Sequence, residues 1–287
     1  MHSEIRGTGA ALVMIPGGGG DAGVYDDSAD LLADRFRVLT YDRRGNSRSP
    51  LPAPGAAIDV PTQADDVIDL LDRHDLGTAA VFGSSAGALI ALELLIRHPG
   101  RVSRVVVHEP PAVRLLGLES REFRELAGIR QVAEEVGSMR AFAAFGAMTM
   151  PDPPWMLRSA AGQRIVAGAS RLMAGAGTAV RMLTRRPPST MSRLLGNVPH
   201  LMQRELDEFL RYAPDTAALA TAGAPWLLAT GVDSVGKPYH RPAHVLAESA
   251  GVPCLQFPGG HTVYQSAPHL FADRLIAVLE DTWPAQD

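Results

Sequence analysis

Lysine is almost missing from this 287-residue chain: Lys237 is the only one, and arginine carries the rest of the positive charge. With a formal net charge of −4, nothing points to a basic surface that would hold a nucleic acid. The arginine, alanine, glycine and proline richness reads as a coding bias rather than a binding surface. Cysteine also occurs once. Cys254 cannot close an internal disulfide, and its setting, Val252-Pro253-Cys254-Leu255-Gln256-Phe257, reads as a buried strand with a core thiol. No apolar run approaches bilayer-spanning length. The opening Met1-His2-Ser3-Glu4-Ile5-Arg6 lacks the basic-then-apolar order of a signal peptide, so a cytoplasmic protein is expected. Internal repeats and low-complexity tails are absent too. What is present is 46% apolar and 20% charged residues, the profile of a globular protein with a sizeable core.

Short apolar runs alternate with helical patterns through the first 111 residues. Strands are expected at Ala11–Ile15, Phe36–Tyr41, Thr78–Phe82 and Val102–His108, each ended by a turn. Helices are expected at Asp26–Asp34, at Thr62–His74 with Thr62 as N-cap, and at Ala86–His98, stopped by Pro99-Gly100. This order implies right-handed crossovers and an α/β fold, a mostly parallel, doubly wound sheet covered on both faces. From about Ala112 to Ala217 no strand pattern is visible, and the segment is helical in spacing, broken at Pro151–Pro154 and Pro187-Pro188. Strands return at Pro225–Thr230 and Val252–Phe257, followed by a helix at Pro268–Glu280. The expected division is a core of residues 1–111 and 218–287 and a helical cap of residues 112–217. An insertion on the carboxyl side of a parallel sheet lies over the crevice where ligands bind.

Gly83-Ser84-Ser85-Ala86-Gly87 fits G-x-S-x-G between a β-branched strand and an Ala/Leu-rich helix, the setting this motif requires. A sharp strand-to-helix turn holds the central serine in a strained conformation with its hydroxyl projecting. Side chains two residues to either side would collide with backbone, hence the glycines. The helix N-terminus offers the Ala86 N–H and a partial positive charge to a developing oxyanion. Ser84 sits at the strand end and is the weaker nucleophile. Phosphate-loop patterns, G-x-G-x-x-G and G-K-[ST], are not found at this turn.

Four pieces, in order, carry a resemblance over nearly the whole chain: Pro16-Gly17-Gly18-Gly19-Gly20, Tyr41-Asp42-Arg43-Arg44-Gly45-Asn46-Ser47-Arg48-Ser49, the elbow at Ser85, and Gly259-Gly260-His261. Together they resemble the α/β-hydrolase family, with an inserted helical cap. That resemblance implies Ser85 as nucleophile and His261 as base. His74 and His98 sit at helix ends, and His240 and His244, though i, i+4, lack a companion Glu and a third ligand, so no metal site is expected. The acid is contested. Most of the family places it after the strand that here is Pro225–Thr230, in a Gly-x-x-Asp pattern; this chain has Gly231-Val232-Asp233-Ser234, with Asp233 one residue early. Glu109, after Val102–His108, resembles the strand-then-Glu ending of many haloalkane dehalogenases and is favoured, with Asp233 as rival. The oxyanion hole is expected from the N–H groups of Gly18 and Ala86. Gly19 joins it in lining the acyl site, and four glycines suggest a flexible loop. The family opens with an antiparallel hairpin, for which only Ser3–Arg6 is available, so its first strand is expected to be missing. Asp42-Arg43-Arg44-Gly45 reads as a structural turn.

Phe142, Phe145, Met148 and Trp155 are large apolar residues suited to an apolar substrate or to the cap's own core. The cap arginines Arg158, Arg164, Arg171, Arg181, Arg185 and Arg186 read as a solvated face. The expected function is cleavage of an ester, lactone or thioester of a small to medium apolar molecule by a Ser-His-acid triad through an acyl-enzyme, without a cofactor. Two alternatives stay open: a cofactor-free oxygenase or perhydrolase on the same triad, and a hydrolase-like protein that only binds ligands. Dehalogenation by the usual route is disfavoured, because it needs a carboxylate where Ser85 stands. The expected partner is a small apolar substrate, with no nucleic acid and no membrane, and a homodimer is left open.

Overall fold

The computed structural model describes residues 1–150, 152–184 and 187–281. Seven strands form one sheet in the order β1-β3-β2-β4-β5-β6-β7. They are β1 (Ser3–Arg6), β2 (Ala10–Ile15), β3 (Phe36–Tyr41), β4 (Ala79–Ser84), β5 (Val102–His108), β6 (Trp226–Gly231) and β7 (Cys254–Phe257). Only β1 runs antiparallel, against β3; every other pair is parallel. The edge is thus a single antiparallel strand, not a hairpin.

Alternation along the strands sorts the core into two layers, because successive side chains leave opposite faces of a sheet. Val13, Ile15, Val105 and Val107 pack with helices α2 (Val60–Arg73) and α3 (Ala86–Arg97). Leu12, Met14, Val106 and Leu227 pack on the other face with α1 (Asp26–Leu32) and the last helix (Pro268–Glu280). Helix α2 begins two residues earlier than the sequence pattern suggests. Its cap is Asp59, whose carboxylate accepts from the Thr62 N–H at 2.7 Å, so Thr62 is not the N-cap. The aspartate side chain reaches the free N–H of the third helical residue, and Pro61 occupies the first turn, where a missing N–H costs nothing.

Between β5 and β6 the described chain is helical, with no strand: α4 (Arg121–Val136), α5 (Ser138–Thr149), α6 (Trp155–Arg158), α7 (Ala160–Thr184), α8 (Thr190–His200), α9 (Leu206–Arg211) and α10 (Thr216–Ala220). Pro199 lies inside α8, and the next residues, Leu201–Glu205, form one wide π-type turn before α9. A proline removes a helical N–H donor and crowds the carbonyl four residues back, a common origin of such irregularity. After β6, α11 (His240–Ala250) leads to β7, and α12 (Val263–Ser266) precedes the closing helix α13 (Pro268–Glu280). Among the described residues no helix is long and apolar enough to cross a membrane. Cys254 is half-buried on the edge strand β7 rather than fully in the core.

Candidate active site

Register places the site. Ser84 of β4 lies opposite His108 of β5, and His108 opposite Ala229 of β6. The next residue of each of the first two strands, Ser85 and Glu109, therefore emerges at the same level of the carboxyl edge. Backbone hydrogen bonds carry the sheet one residue further: Ser85 N–H donates to His108 at 2.9 Å and Glu109 N–H to Ala229 at 2.9 Å. Both residues then turn sharply, with φ of 57° at Ser85 and 49° at Glu109. Non-glycine residues seldom occupy this region, and such strain concentrates at functional sites.

The glycines of the elbow are sterically required. A Cβ on Gly83 would stand 2.3 Å from the Gly87 carbonyl oxygen, and one on Gly87 2.2 Å from that of Ile15. Ser85 precedes α3, so the N–H groups of the first helical turn lie beside its hydroxyl.

His261 follows β7 in the turn before α12 and is buried. Its Nδ1 lies 2.6 Å from Glu109 Oε2, and the other carboxylate oxygen, Oε1, accepts the Gly231 N–H at 2.7 Å. Glu109 is fully buried. Burial works to raise its carboxyl, but the imidazoles of His108 and His261 and the hydroxyl of Ser234 outweigh it and hold the group at about 2. An ionised carboxylate on Nδ1 leaves Nε2 as the nitrogen free to take a proton. Ser85 and His261 line the same cavity. Among the described residues no hydrogen bond yet joins the serine hydroxyl to the imidazole, a link that often tightens only with substrate.

Asp233 lies elsewhere. It is exposed on the short turn Val232–Ser234, and its N–H donates to the Gly259 carbonyl at 3.0 Å. The buried side chain of that turn is Ser234, beside Glu109. So the slot that commonly carries the acid points inward here but holds a hydroxyl.

The cavity is tight: about 30 Å³ of it is open to water-sized spheres. Polar atoms come chiefly from Ser85, His261, Thr149 and Tyr239; the rest of the wall is apolar. Gly18, Ala86, Phe145 and Met148 line it, whereas Gly19, Phe142 and Trp155 do not. Trp155 is 74% exposed on α6, and Phe142 packs, half-buried, on the large apolar cluster that the insertion shares with the sheet and its helices. Gly19 turns away because its carbonyl accepts from Asn197 Nδ2 of α8 at 2.6 Å. The glycine loop is not slack either. The Gly17 carbonyl accepts from Arg43 Nη2 at 3.0 Å and from the Gly20 N–H at 3.2 Å, and the Arg43 N–H donates to Gly20 at 2.8 Å.

Two parts of the cavity wall were not legible in the sequence. Tyr239 stacks on His261 with ring centroids 3.8 Å apart, and its hydroxyl donates to the Thr149 carbonyl at 3.2 Å. Leu201, Leu206, Phe209 and Leu210 close the far wall; their helical spacing was visible, but the cavity they face was not. Of the insertion's arginines, Arg158 pairs with Asp152, and Arg164 and Arg171 are exposed. The side chain of Arg181, and Arg185 and Arg186, lie outside the described residues. His240 and His244 sit 4.6 Å apart between ring centroids, and no group of three metal-ligating side chains forms among the described residues.

A strand-elbow-helix serine, a late histidine and a strand-end carboxylate on one parallel sheet define a hydrolase class, and the chain belongs to the α/β-hydrolase family, whose family model matches residues 10–129. It is 33% identical over 285 residues to the uncharacterized hydrolase YraK of Bacillus subtilis (strain 168), covering 98% of this chain and 92% of that one. It is also 33% identical over 155 residues to a zearalenone hydrolase of Bionectria ochroleuca, covering 50% of this chain and 58% of that one. Among solved structures, the enol-lactonase from Burkholderia xenovorans LB400 shares the fold, with a TM-score of 0.68 at 18% identity over 98% of this chain and 96% of that one.

Proposed function

We propose that the protein is a serine hydrolase that cleaves an ester, lactone or thioester of a small to medium apolar molecule, with Ser85, His261 and Glu109 as its triad. The observation that carries this reading is the buried Glu109–His261 pair at 2.6 Å, opening onto the same apolar cavity as the strained Ser85. Glu109 fixes the tautomer of His261 and stabilises the imidazolium that forms. His261 takes the Ser85 proton as the hydroxyl attacks the carbonyl carbon. The N–H groups of Gly18 and Ala86 hold the oxyanion, and the leaving alcohol or thiol collects the proton. Water, deprotonated by His261, then releases the acid and returns Ser85.

The acyl or ring portion lies against Phe145, Met148, Leu206 and Phe209, a wall with no fixed charge. In this reading residues 112–217 act as a cap over a site carried by residues 1–111 and 218–287. The zearalenone hydrolase of Bionectria ochroleuca, matched over half of this chain, supports the hydrolase reading. A fluorophosphonate probe tests the proposal. The wild type is expected to label stoichiometrically and Ser85→Ala not at all; an unlabelled wild type, or labelling that survives Ser85→Ala, defeats it.

A further inference from the structure

A second set of fully buried charges lies outside the triad. Arg43, after β3, and Glu205, at the end of the π-type turn, are 1% and 0% exposed. The pair is bidentate: Arg43 Nη1 to Glu205 Oε1 at 2.6 Å and Nη2 to Oε2 at 3.0 Å. Gln63 accepts from Nη1 at 2.6 Å, Asn46 donates to Glu205 Oε1 at 3.1 Å, and the Phe209 ring centroid lies 5.3 Å from the guanidinium carbon. A buried ion pair rarely stabilises a fold more than apolar residues of the same size would. Its placement suggests another use.

Arg43 Nη2 donates to the Gly17 carbonyl. That carbonyl and the Gly18 N–H belong to one peptide group. A trans peptide is planar, with its C=O and N–H pointing in opposite directions, so a cation on the Gly17 oxygen aims the Gly18 N–H away from itself. Gly18 lines the cavity beside Ser85. The same contact draws electron density toward the oxygen and makes the N–H a stronger donor, as hydrogen bonds in series polarise one another. The loop cannot retreat toward the elbow, since even a Cβ on Gly17 would come within 2.9 Å of Ser85 Cβ.

We infer that Arg43, held by Glu205 of the insertion, is a positioning residue that orients and polarises the Gly17–Gly18 peptide as an oxyanion donor. The inference rests on the serine-hydrolase reading above. It also makes the oxyanion hole depend on the seating of the insertion, because the carboxylate that fixes Arg43 belongs to it.

The experiment replaces the pair without leaving a lone buried charge. Arg43→Met with Glu205→Leu, and separately Arg43→Gln with Glu205→Gln, are compared with the wild type and Ser85→Ala on an aryl ester of a short apolar acid. Activity is normalised to sites titrated by fluorophosphonate. Both pairs are expected to melt within a few degrees of the wild type and to lose kcat roughly tenfold or more, below the 10²–10³ of deleting an oxyanion donor outright. KM should stay within about twofold, the pH profile should not move, and affinity for a trifluoromethyl ketone, which forms a tetrahedral serine adduct, should fall in parallel with kcat. Wild-type kcat per titrated site in either double variant overturns the inference, as does a loss confined to the fraction of folded sites. Activity that survives Ser85→Ala instead overturns the reading beneath it.

Discussion

The two walls of the cavity are built from opposite materials. The floor is the carboxyl edge of the sheet, where Ser85, Glu109 and His261 sit on turns leaving three different strands. It is polar, buried and held by backbone hydrogen bonds between neighbouring strands. The roof comes from the insertion, with Phe145 and Met148 from α5 and Leu201, Leu206, Phe209 and Leu210 from the turn and helix after α8. It touches the floor through a few polar ties, among them Arg43–Glu205, Asp21–Arg193 and Asn197–Gly19. The difference separates two tasks. A reacting geometry needs sub-ångström constancy, which a parallel sheet supplies; selectivity for an apolar shape needs only an adaptable apolar surface, which helices rich in Leu, Phe and Met supply.

The division of labour can be broken most sharply at the floor. Glu109→Gln keeps the shape of the side chain but removes the charge that fixes the His261 tautomer. It should lower kcat by about 10³–10⁴, by analogy with other triad carboxylates. Asp233→Asn should leave turnover within about twofold, because Asp233 is exposed. Steady-state kinetics of the two variants on one aryl ester decide it, and the reverse ranking would move the acid to β6.

A change in the roof should act on substrate choice instead. Phe145→Ala is expected to reduce kcat/KM for a medium-chain ester by roughly tenfold, the scale of apolar pocket discrimination. It should leave an acetyl ester nearly unchanged. An equal loss on both esters would mean that the roof also shapes the floor.

The smallest expected effect concerns His108, buried beneath the floor with its Nδ1 2.9 Å from Ser84 Oγ. Burial pushes its imidazole down to about 4 from 6.5. On acidification the unfolded chain therefore takes up this proton first. The stability His108 contributes is complete above about pH 6.5 and is lost as pH falls toward 4. Glu109 extends the decline from its ordinary 4.5 to about 2. Melting temperatures between pH 7 and 5 should fall by several degrees in the wild type and less in His108→Gln. Parallel curves for the two proteins would assign the acid sensitivity to other groups.

Much of the floor was legible in the sequence. The alternation of strands and helices, the break at residue 112 and the return of strands near 225 all follow from local periodicity, and the observed elements match them within a few residues. The exceptions are informative. Asp59 displaced Thr62 as the cap of α2, because a cap depends on which side chain reaches the free N–H groups, and both types are capable. The roof was legible as apolar but not as a surface: Phe145 and Met148 reach the cavity, whereas Phe142 and Trp155, with the same chemistry, do not. Helical facing within an irregular, proline-broken insertion is decided by packing partners distant in sequence. The glycine loop looked loose because glycine is permissive alone; its carbonyls are tied down by Arg43 and Asn197, the latter 178 residues away.

By itself the sequence determined the elbow. Strand, Gly83-Ser84-Ser85-Ala86-Gly87 and helix are contiguous, and exclusion of a Cβ at Gly83 by the Gly87 carbonyl is a local matter, whereas at Gly87 the obstacle is the Ile15 carbonyl of β2. It also narrowed the acid to Glu109 and Asp233. Tertiary structure alone set which of the two stands beside His261, because that depends on the register Ser84–His108–Ala229 across three strands and on a turn that sends Asp233 outward. Tertiary structure alone also paired Arg43 with Glu205, 162 residues apart, behind the Gly17–Gly18 peptide. Local sterics can be read residue by residue, whereas register and long-range charge pairing exist only once the strands and the insertion have packed.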